Sequence, residues 1–369
     1  MLRHKLSSHL NNIFHDGDVE ATIYPSYGFL QGAEWRIPLR GWVHQNRRLP
    51  DELIGTLAQS LIGCADAELS TFHARFDDFT DDSRSRQEVA IEFVGDDERY
   101  TFQKSDLNGL IEMTISLPET KAVSLLEKQG AVDRWLTFNV VSDNHRGTGR
   151  VKLIEPEGLS VVSDIDDTIK VTAVPGDKEI VLQNTFCRPF VPVRAMAERY
   201  QTLGESVAFH YVSGGPWQLF QPLHDFLNGG EAGFPAGTFH LNYFPKNFLA
   251  DDTRSLLKDS IAGSLGRTYD HKVEQVTRLM ERFPGRKFIL AGDSGELDPE
   301  VYRRARDLFS AQVQEIWIRD VVNDAETNAY RLDGMTVLKA EEIVRATPEH
   351  HEKLAVIIQR EHQRPYVKG

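Results

Sequence analysis

The hydrophobic pattern of this chain changes period near residue 155, and the change divides it into two kinds of structure. Before it, apolar and polar residues alternate. Trp35, Ile37 and Leu39 alternate with Arg36, Pro38 and Arg40, and Val89, Ile91 and Phe93 stand at every second position. Ile111, Met113, Ile115 and Leu117 repeat the theme, as do Leu136, Phe138 and Val140. Period two marks strands with one buried face, so residues 20–155 are expected to form an all-β, sandwich-like accessory domain. One helix is expected within it, over 51–62, with Leu53, Leu57 and Leu61 on one face. After residue 155, short continuous apolar runs at 159–163, 207–212, 287–291 and 316–318 alternate with helical stretches near 191–202, 217–228, 271–283 and 298–309. That rhythm predicts an α/β domain over 156–350 with a parallel sheet covered on both faces.

The ends of the chain read as helices. Leu2, Leu6, Leu10 and Ile13 share one face of an amphipathic helix over 1–19, read as a helix docked on its own domain, with an interfacial membrane anchor as the alternative. A C-terminal helix is expected from about 339 to 362, with 351–369 forming the terminal helix and tail. His350 and His351 in that helix face different sides, which disfavours a metal pair and leaves them solvated.

Charge and cysteine content exclude several classes. Lys and Arg total 42 against 55 Asp and Glu, giving a formal charge of −13. Such a chain makes a poor general nucleic-acid binder, because duplex binding is driven by cationic side chains replacing counterions. No apolar run is long enough to span a bilayer. Cys64 and Cys187 stand 123 positions apart, too few for a disulfide framework and wrongly spaced for a zinc knuckle. A reducing, cytoplasmic compartment is therefore expected, and bulk attraction to an anionic bilayer is not, though a local basic face stays open.

In open parallel sheets ligands bind at the carboxyl ends of the strands. The first apolar run ends in Ser163-Asp164-Ile165-Asp166-Asp167-Thr168. In extended backbone Asp164 and Asp166 point the same way. Two carboxylates about 4 Å apart repel by roughly 4 kcal/mol at an effective dielectric near 20. A hard cation such as Mg²⁺, or a shared proton, relieves that cost; an N-cap or turn cluster is the structural alternative. The second run ends in Val212-Ser213-Gly214-Gly215-Pro216, which reads either as an anion cradle or as a Ser N-cap with Pro opening a helix. Lys272 is expected in the first turn of the 271–283 helix, where a cation is unfavourable unless it serves an anion. The third run ends in Gly292-Asp293-Ser294-Gly295-Glu296-Leu297-Asp298. If the two acidic turns are neighbours, Asp164, Asp166, Asp293 and Asp298 converge, and a metal with a phosphate ligand accounts for that convergence.

With D-x-D-x-T after one strand, Ser at the end of the next, a helical Lys and G-D-x-x-x-x-D after another, the sequence resembles the haloacid dehalogenase superfamily of phosphotransferases. The longer strings LSVVSDIDDTIKVT, FHYVSGGPWQLF and FPGRKFILAGDSGELDPEVY look like the actin-patch-type phosphatidate phosphatase family, once a domain of unknown function and distantly related to the lipins. The resemblance covers roughly 150–325; IYPSYGF and WRIPLRGWV resemble that family's N-terminal region more weakly. It implies a Rossmann-like phosphatase domain with a minimal cap. It also implies Mg²⁺ as cofactor and phosphatidate at a membrane surface as substrate. Asp164 would then be the nucleophile that forms an aspartyl-phosphate, and Asp166 the acid and base that protonates the leaving oxygen and then activates water. Thr168 would position the first acidic loop, Ser213 would bond a phosphoryl oxygen, and Lys272 would balance charge. Asp164, Asp293 and the backbone carbonyl of Asp166 would hold Mg²⁺, with Asp298 a further metal contact.

Only about 38 residues separate Thr168 from the second run, room for a flap and a helix but not a large cap. An open site suits a headgroup presented by a bilayer. The stretch 247–262, with Leu249, Leu256, Leu257 and Ile261 among charges, reads as a covering helix, with a lid or a lipid contact as alternatives. Two other functions stay open at this point: a phosphatase of a soluble phosphomonoester, and a catalytically silent phospholipid- or protein-binding module.

Overall fold

The computed structural model describes residues 15–48, 55–142, 145, 147–230, 232–242 and 265–363. Most of the expected N-terminal helix, the first turn of the 51–62 helix and the 247–262 stretch lie outside the described residues. The chain is a mixed α/β protein whose described residues fall into two compact units. One comprises residues up to Ile154 together with Phe186–Arg188; the other comprises Glu155–Thr185, Pro189 to 242, and 265 onward.

The first unit is β-rich. Its strands are β1 (His15–Ile23), β2 (Ser26–Gln31), β3 (Glu34–Arg48), β4 (Asp82–Ser83), β5 (Ala90–Phe93), β6 (Arg99–Thr101), β7 (Leu110–Pro118), β8 (Trp135–Val140) and β9 (Thr148–Ile154). Residues 15–19, included above in a helix, are therefore strand. The nine strands form one hydrogen-bonded sheet in the order β1-β3-β2-β9-β8-β5-β6, with β4 and β7 also paired to β3. The length of β3 is what joins all nine strands in one network. Its 15 residues change partners along the strand, pairing β7 over Glu34–Trp42 on one edge, and β2 then β1 on the other. The alternating residues point into one core: Trp35, Ile37, Leu39, Ile111, Ile115, Leu117, Leu136 and Phe138 are all buried. Each such side chain contributes about 1.5–3 kcal/mol on leaving water. Residues 55–62 are helical, ending in a turn of π-helix over Ala58–Ile62.

Cys64 and Cys187 are joined in a disulfide, their Cα atoms 5.7 Å apart, inside the usual range for such a bridge. The bridge runs against the reducing compartment expected from the cysteine count. Distance along the chain carries no information about proximity when the short segment Phe186–Arg188 packs with the first unit. There Phe186 meets Phe72, Phe76 and Phe79 of α1 (Leu69–Thr80) edge-on. Iodoacetamide is expected to label neither cysteine in denatured, unreduced protein and both after reduction. Labelling without reductant would show that no bridge forms.

The second unit is built on a six-stranded sheet in the order β12-β11-β10-β13-β14-β15, with every neighbouring pair parallel. The strands are β10 (Gly158–Ser163), β11 (Ala208–Pro216), β12 (Gly237–Asn242), β13 (Arg286–Asp293), β14 (Val313–Asp320) and β15 (Thr336–Lys339). The central strands are buried along nearly their whole length, as continuous apolar runs require. Between them lie α2 (Arg194–Gln201), α3 (Phe220–Asn228), α4 (Leu265–Arg282) and α5 (Asp298–Leu308), and α6 (Pro348–Gln363) follows the last strand. The C-terminal helix thus begins at Pro348 rather than near 339; residues 336–339 pair with β14 instead. Among the described residues, no helix is long and apolar enough to cross a membrane.

Candidate active site

β10 and β13 are adjacent and parallel, with Ser163 opposite Ala291, so the acidic turns that follow them emerge side by side. The Asp164 N–H donates to the Ala291 carbonyl at 2.8 Å and ties the two turns together. One ligand oxygen each from Asp164, Asp293 and Glu296 lies within 4.8 Å of the others. Glu296 is the member that sequence reasoning missed. It sat in the acidic run but matched no expected position.

Lys272 lies at the centre of the cluster. Its Nζ is 2.7 Å from Asp164 Oδ1, 2.6 Å from Asp298 Oδ1 and 3.1 Å from Glu296 Oε2. The described part of α4 begins at Leu265, so Lys272 is about two turns inside the helix and not in its first turn. The unfavourable end of the helix dipole therefore plays no part. What stabilises the buried ammonium is three carboxylates, which raise its pKa although burial, the largest single influence, opposes them.

Asp298 is fully engaged elsewhere. Its Oδ1 takes the lysine and its Oδ2 accepts the Asp293 N–H at 3.2 Å. It supports the lysine and the turn, while Glu296 takes the position among the converging oxygens that was expected of it. Gly292 makes this arrangement possible, because a Cβ there would lie 2.5 Å from Asp298 Oδ2.

The first acidic turn divides its labour differently from expectation. Thr168 is buried but its hydroxyl makes no hydrogen bond among the described residues, so none of these is held by it. Asp167 does, from a left-handed conformation (φ 56°). Its carboxylate accepts the N–H groups of Thr172, Ala173 and Val174 at 2.9, 2.7 and 2.6 Å. Asp166 faces the other way, with Oδ1 2.6 Å from both Lys170 Nζ and Thr172 Oγ1. Burial would raise its pKa, but Lys170 and Thr172 together hold it below the usual range. Ser213 Oγ lies 3.4 Å from Asp166 Oδ2 and accepts the Gly215 N–H at 3.0 Å. That N–H is therefore already used, and Gly214 serves close packing: a Cβ there would meet Thr268 Oγ1 at 2.6 Å. The second turn is a packed corner rather than an open anion cradle, and a short 3₁₀ turn (Trp217–Leu219) precedes α3.

Electrostatically the converging group is frustrated. Burial pushes Asp164 well above the carboxylate range; Lys272 opposes this, and Asp298, Glu296 and Asp166 reinforce it. Asp293 is raised for the same first reason, with Asp298, Asp164 and Glu296 adding to it. Glu296 is raised by burial against the pull of Lys272. Asp164 Oδ2 and Asp293 Oδ2 are buried and accept no hydrogen bond from the described residues. Buried carboxylate oxygens without partners are costly, and an all-oxygen donor set of this kind suits a hard divalent cation. The residues present fit Mg²⁺.

Comparisons with known proteins bear on the second unit. Residues 159–320 match the family described as the catalytic domain of phosphatidate phosphatase APP1. The match covers 162 of the 369 residues and shows what this segment is similar to. Phosphatidate phosphatase APP1 of Saccharomyces cerevisiae is 34% identical over 170 residues, which are 45% of this chain and 26% of that protein. An uncharacterized protein of Schizosaccharomyces pombe is 26% identical over 177 residues, 47% of this chain and 27% of its own. The chain thus spans about a quarter of the length of these curated relatives. Among solved structures, a carbohydrate esterase aligns over 94% of this chain and 99% of its own at 9% identity, with a TM-score of 0.21, too low to bear on the fold.

The catalytic-domain segment contains β10 through β14, with Asp164, Asp166, Ser213, Lys272, Asp293, Glu296 and Asp298. Arg331 and His350, which also reach this site, lie beyond it.

Proposed function

We propose that this protein is a Mg²⁺-dependent phosphatase of the haloacid dehalogenase type, with phosphatidate as substrate and diacylglycerol as product. The observation that carries this reading is the convergence of the Asp164, Asp293 and Glu296 oxygens around buried, unpartnered lone pairs with Lys272 in contact. A parallel sheet with both acidic turns at the carboxyl ends of adjacent strands supports the superfamily assignment. The family match over 159–320 supports the substrate.

Asp164 Oδ2 attacks phosphorus in line. The new O–P bond forms as the bond to the leaving alkoxide breaks, giving an aspartyl-phosphate. Asp166 delivers a proton to the leaving oxygen, drawing on the Lys170 ammonium 2.6 Å away, and then accepts one from the water that hydrolyses the intermediate. Lys272 offsets the repulsion between carboxylate and phosphate, and Ser213 stands beside Asp166 where it can bond a phosphoryl oxygen. Asp164, Asp293 and Glu296 would hold Mg²⁺, which when bound supplies charge neutralisation of the phosphoryl oxygens. The domain boundaries near 155 and 350, and action at a membrane surface, belong to the same proposal; the Cys64–Cys187 bridge removes the ground for a reducing, cytoplasmic compartment.

The test is phosphate release from phosphatidate in detergent micelles, with Mg²⁺ and with EDTA, beside a panel of water-soluble phosphomonoesters. Metal-dependent release from the lipid is expected. Turnover confined to soluble esters would replace the substrate, and silence on every phosphomonoester would favour a non-catalytic binding module.

A further inference from the structure

The turn Ser294-Gly295-Glu296 places two of the three converging carboxylates, because Asp293 precedes it and Glu296 ends it. Its internal bonds are few: Asp293 Oδ1 accepts the Gly295 and Glu296 N–H groups at 2.7 and 3.2 Å. Its three consecutive carbonyls are each taken by a side chain from beyond the family segment. Arg331 donates to the Ser294 and Glu296 carbonyls, both at 2.8 Å. His350 Nε2 lies 2.6 Å from the Gly295 carbonyl. A carbonyl only accepts, so the imidazole carries its proton on Nε2 and donates it.

Both side chains are buried, Arg331 at 1% and His350 at 8% exposure, and both are held from behind. Arg331 forks onto Glu300 through Nε and Nη2, each at 2.8 Å, and also pairs with Asp324. His350 is presented by the first turn of α6, where its own N–H reaches Thr347 Oγ1 at 3.3 Å. A guanidinium fork and a packed ring therefore hold all three carbonyls of one turn.

We infer that Arg331 and His350 are positioning residues for the metal-binding turn, so that the C-terminal helix is part of the metal site although it lies outside the catalytic-domain segment. The inference rests on the proposed metal site. Groups of this kind, which orient ligands without touching the ion, typically alter metal affinity by about 10–100-fold when removed. Arg331 is the poorer test, because its loss strands Glu300 and Asp324 as buried charges and destabilises the fold for an unrelated reason. His350 is the better one. His350→Phe keeps a ring and loses the donor; His350→Gln restores an N–H of similar reach.

The measurement is Mg²⁺ binding to full-length protein by calorimetry, with thermal unfolding of the metal-free forms alongside. His350→Phe is expected to weaken Mg²⁺ about tenfold or more while remaining folded, and His350→Gln to recover most of the loss. Equal affinity of both variants and the unaltered protein would overturn the inference. So would a lowered melting temperature in His350→Phe with unchanged affinity, which marks a purely structural residue. Asp293→Asn separates this from the underlying reading: if the unaltered protein itself binds no Mg²⁺, or binds it undiminished in Asp293→Asn, the metal site falls and His350 with it.

Discussion

An Asp164→Asn variant is expected to lose phosphatase activity by roughly 10⁴-fold or more, since removing a nucleophile abolishes the covalent route and leaves only binding and charge stabilisation. The substitution is nearly isosteric, so packing in the buried turn is preserved. It keeps an oxygen toward Lys272, which retains Asp298 and Glu296 as partners. The loss should therefore appear in kcat while the protein remains folded, and no phosphorylated enzyme should be trapped on acid quench. Metal-dependent turnover that survives the substitution would remove Asp164 from the nucleophile's role.

The second large effect is on stability and has the opposite sign. Asp293 is fully buried, one of its oxygens is unpartnered, and Lys272 is paired with its neighbours rather than with it. In metal-free protein burial and the neighbouring carboxylates disfavour its charged form, which only two backbone N–H groups on Oδ1 support. Asp293→Asn removes that charge and is expected to stabilise the metal-free fold by about 2 kcal/mol, the order of penalty an unpaired buried ion carries after relaxation. For a domain of this size that is a rise of roughly 4–8 °C. The same variant should lose the stabilisation that Mg²⁺ confers on the unaltered protein. The direction with pH follows. Asp164, Asp293 and Glu296 have folded pKa values above their unfolded ones, so their contribution is fully present below the unfolded carboxylate range and is lost as pH rises toward the folded values. Asp166, held low, behaves in the reverse sense. Because protons and Mg²⁺ compete for the same oxygens, the melting-temperature gain from Mg²⁺ should grow from pH 5 to pH 8. A gain independent of pH, or no stabilisation in Asp293→Asn without metal, would count against the frustrated cluster.

Much of the catalytic half was legible because a parallel sheet writes itself as uninterrupted apolar runs. The strands β10, β11, β13 and β14 coincide with the four runs read from sequence, within a few residues. The strands β12 and β15 were not legible. Gly237–Asn242 carries only two strongly apolar residues, and Thr336–Lys339 is a four-residue edge strand that is largely exposed. In the β-rich half, alternation gave the buried faces correctly, from Trp35 to Phe138, but could not show that β3 would serve four partners within one sheet.

In the site, residue chemistry and position after a strand were enough to single out Asp164, Asp166, Ser213 and Asp293 as candidates, whereas Lys272 was singled out for a first-turn position that it does not occupy. These properties are local: a carboxylate at a strand end is visible whatever surrounds it. The other decisions depended on which atoms meet. Asp167, with no role assignable from its position, holds the first turn by three backbone bonds, while the Thr168 hydroxyl holds nothing among the described residues. Glu296 displaced Asp298 from the converging oxygens because Asp298 is already spent on Lys272 and the Asp293 N–H. His350, read as solvated, is buried against Gly295 from 55 positions away. The amino-acid order alone determined the period of each segment and the supply of charged groups at each strand end, since both follow from the backbone's own repeat. Pairing of the cysteines, the partner of each carboxylate and the recruitment of the last helix were decided only by the folded chain, because hydrogen bonds and ion pairs act over a few ångströms and take no account of sequence separation.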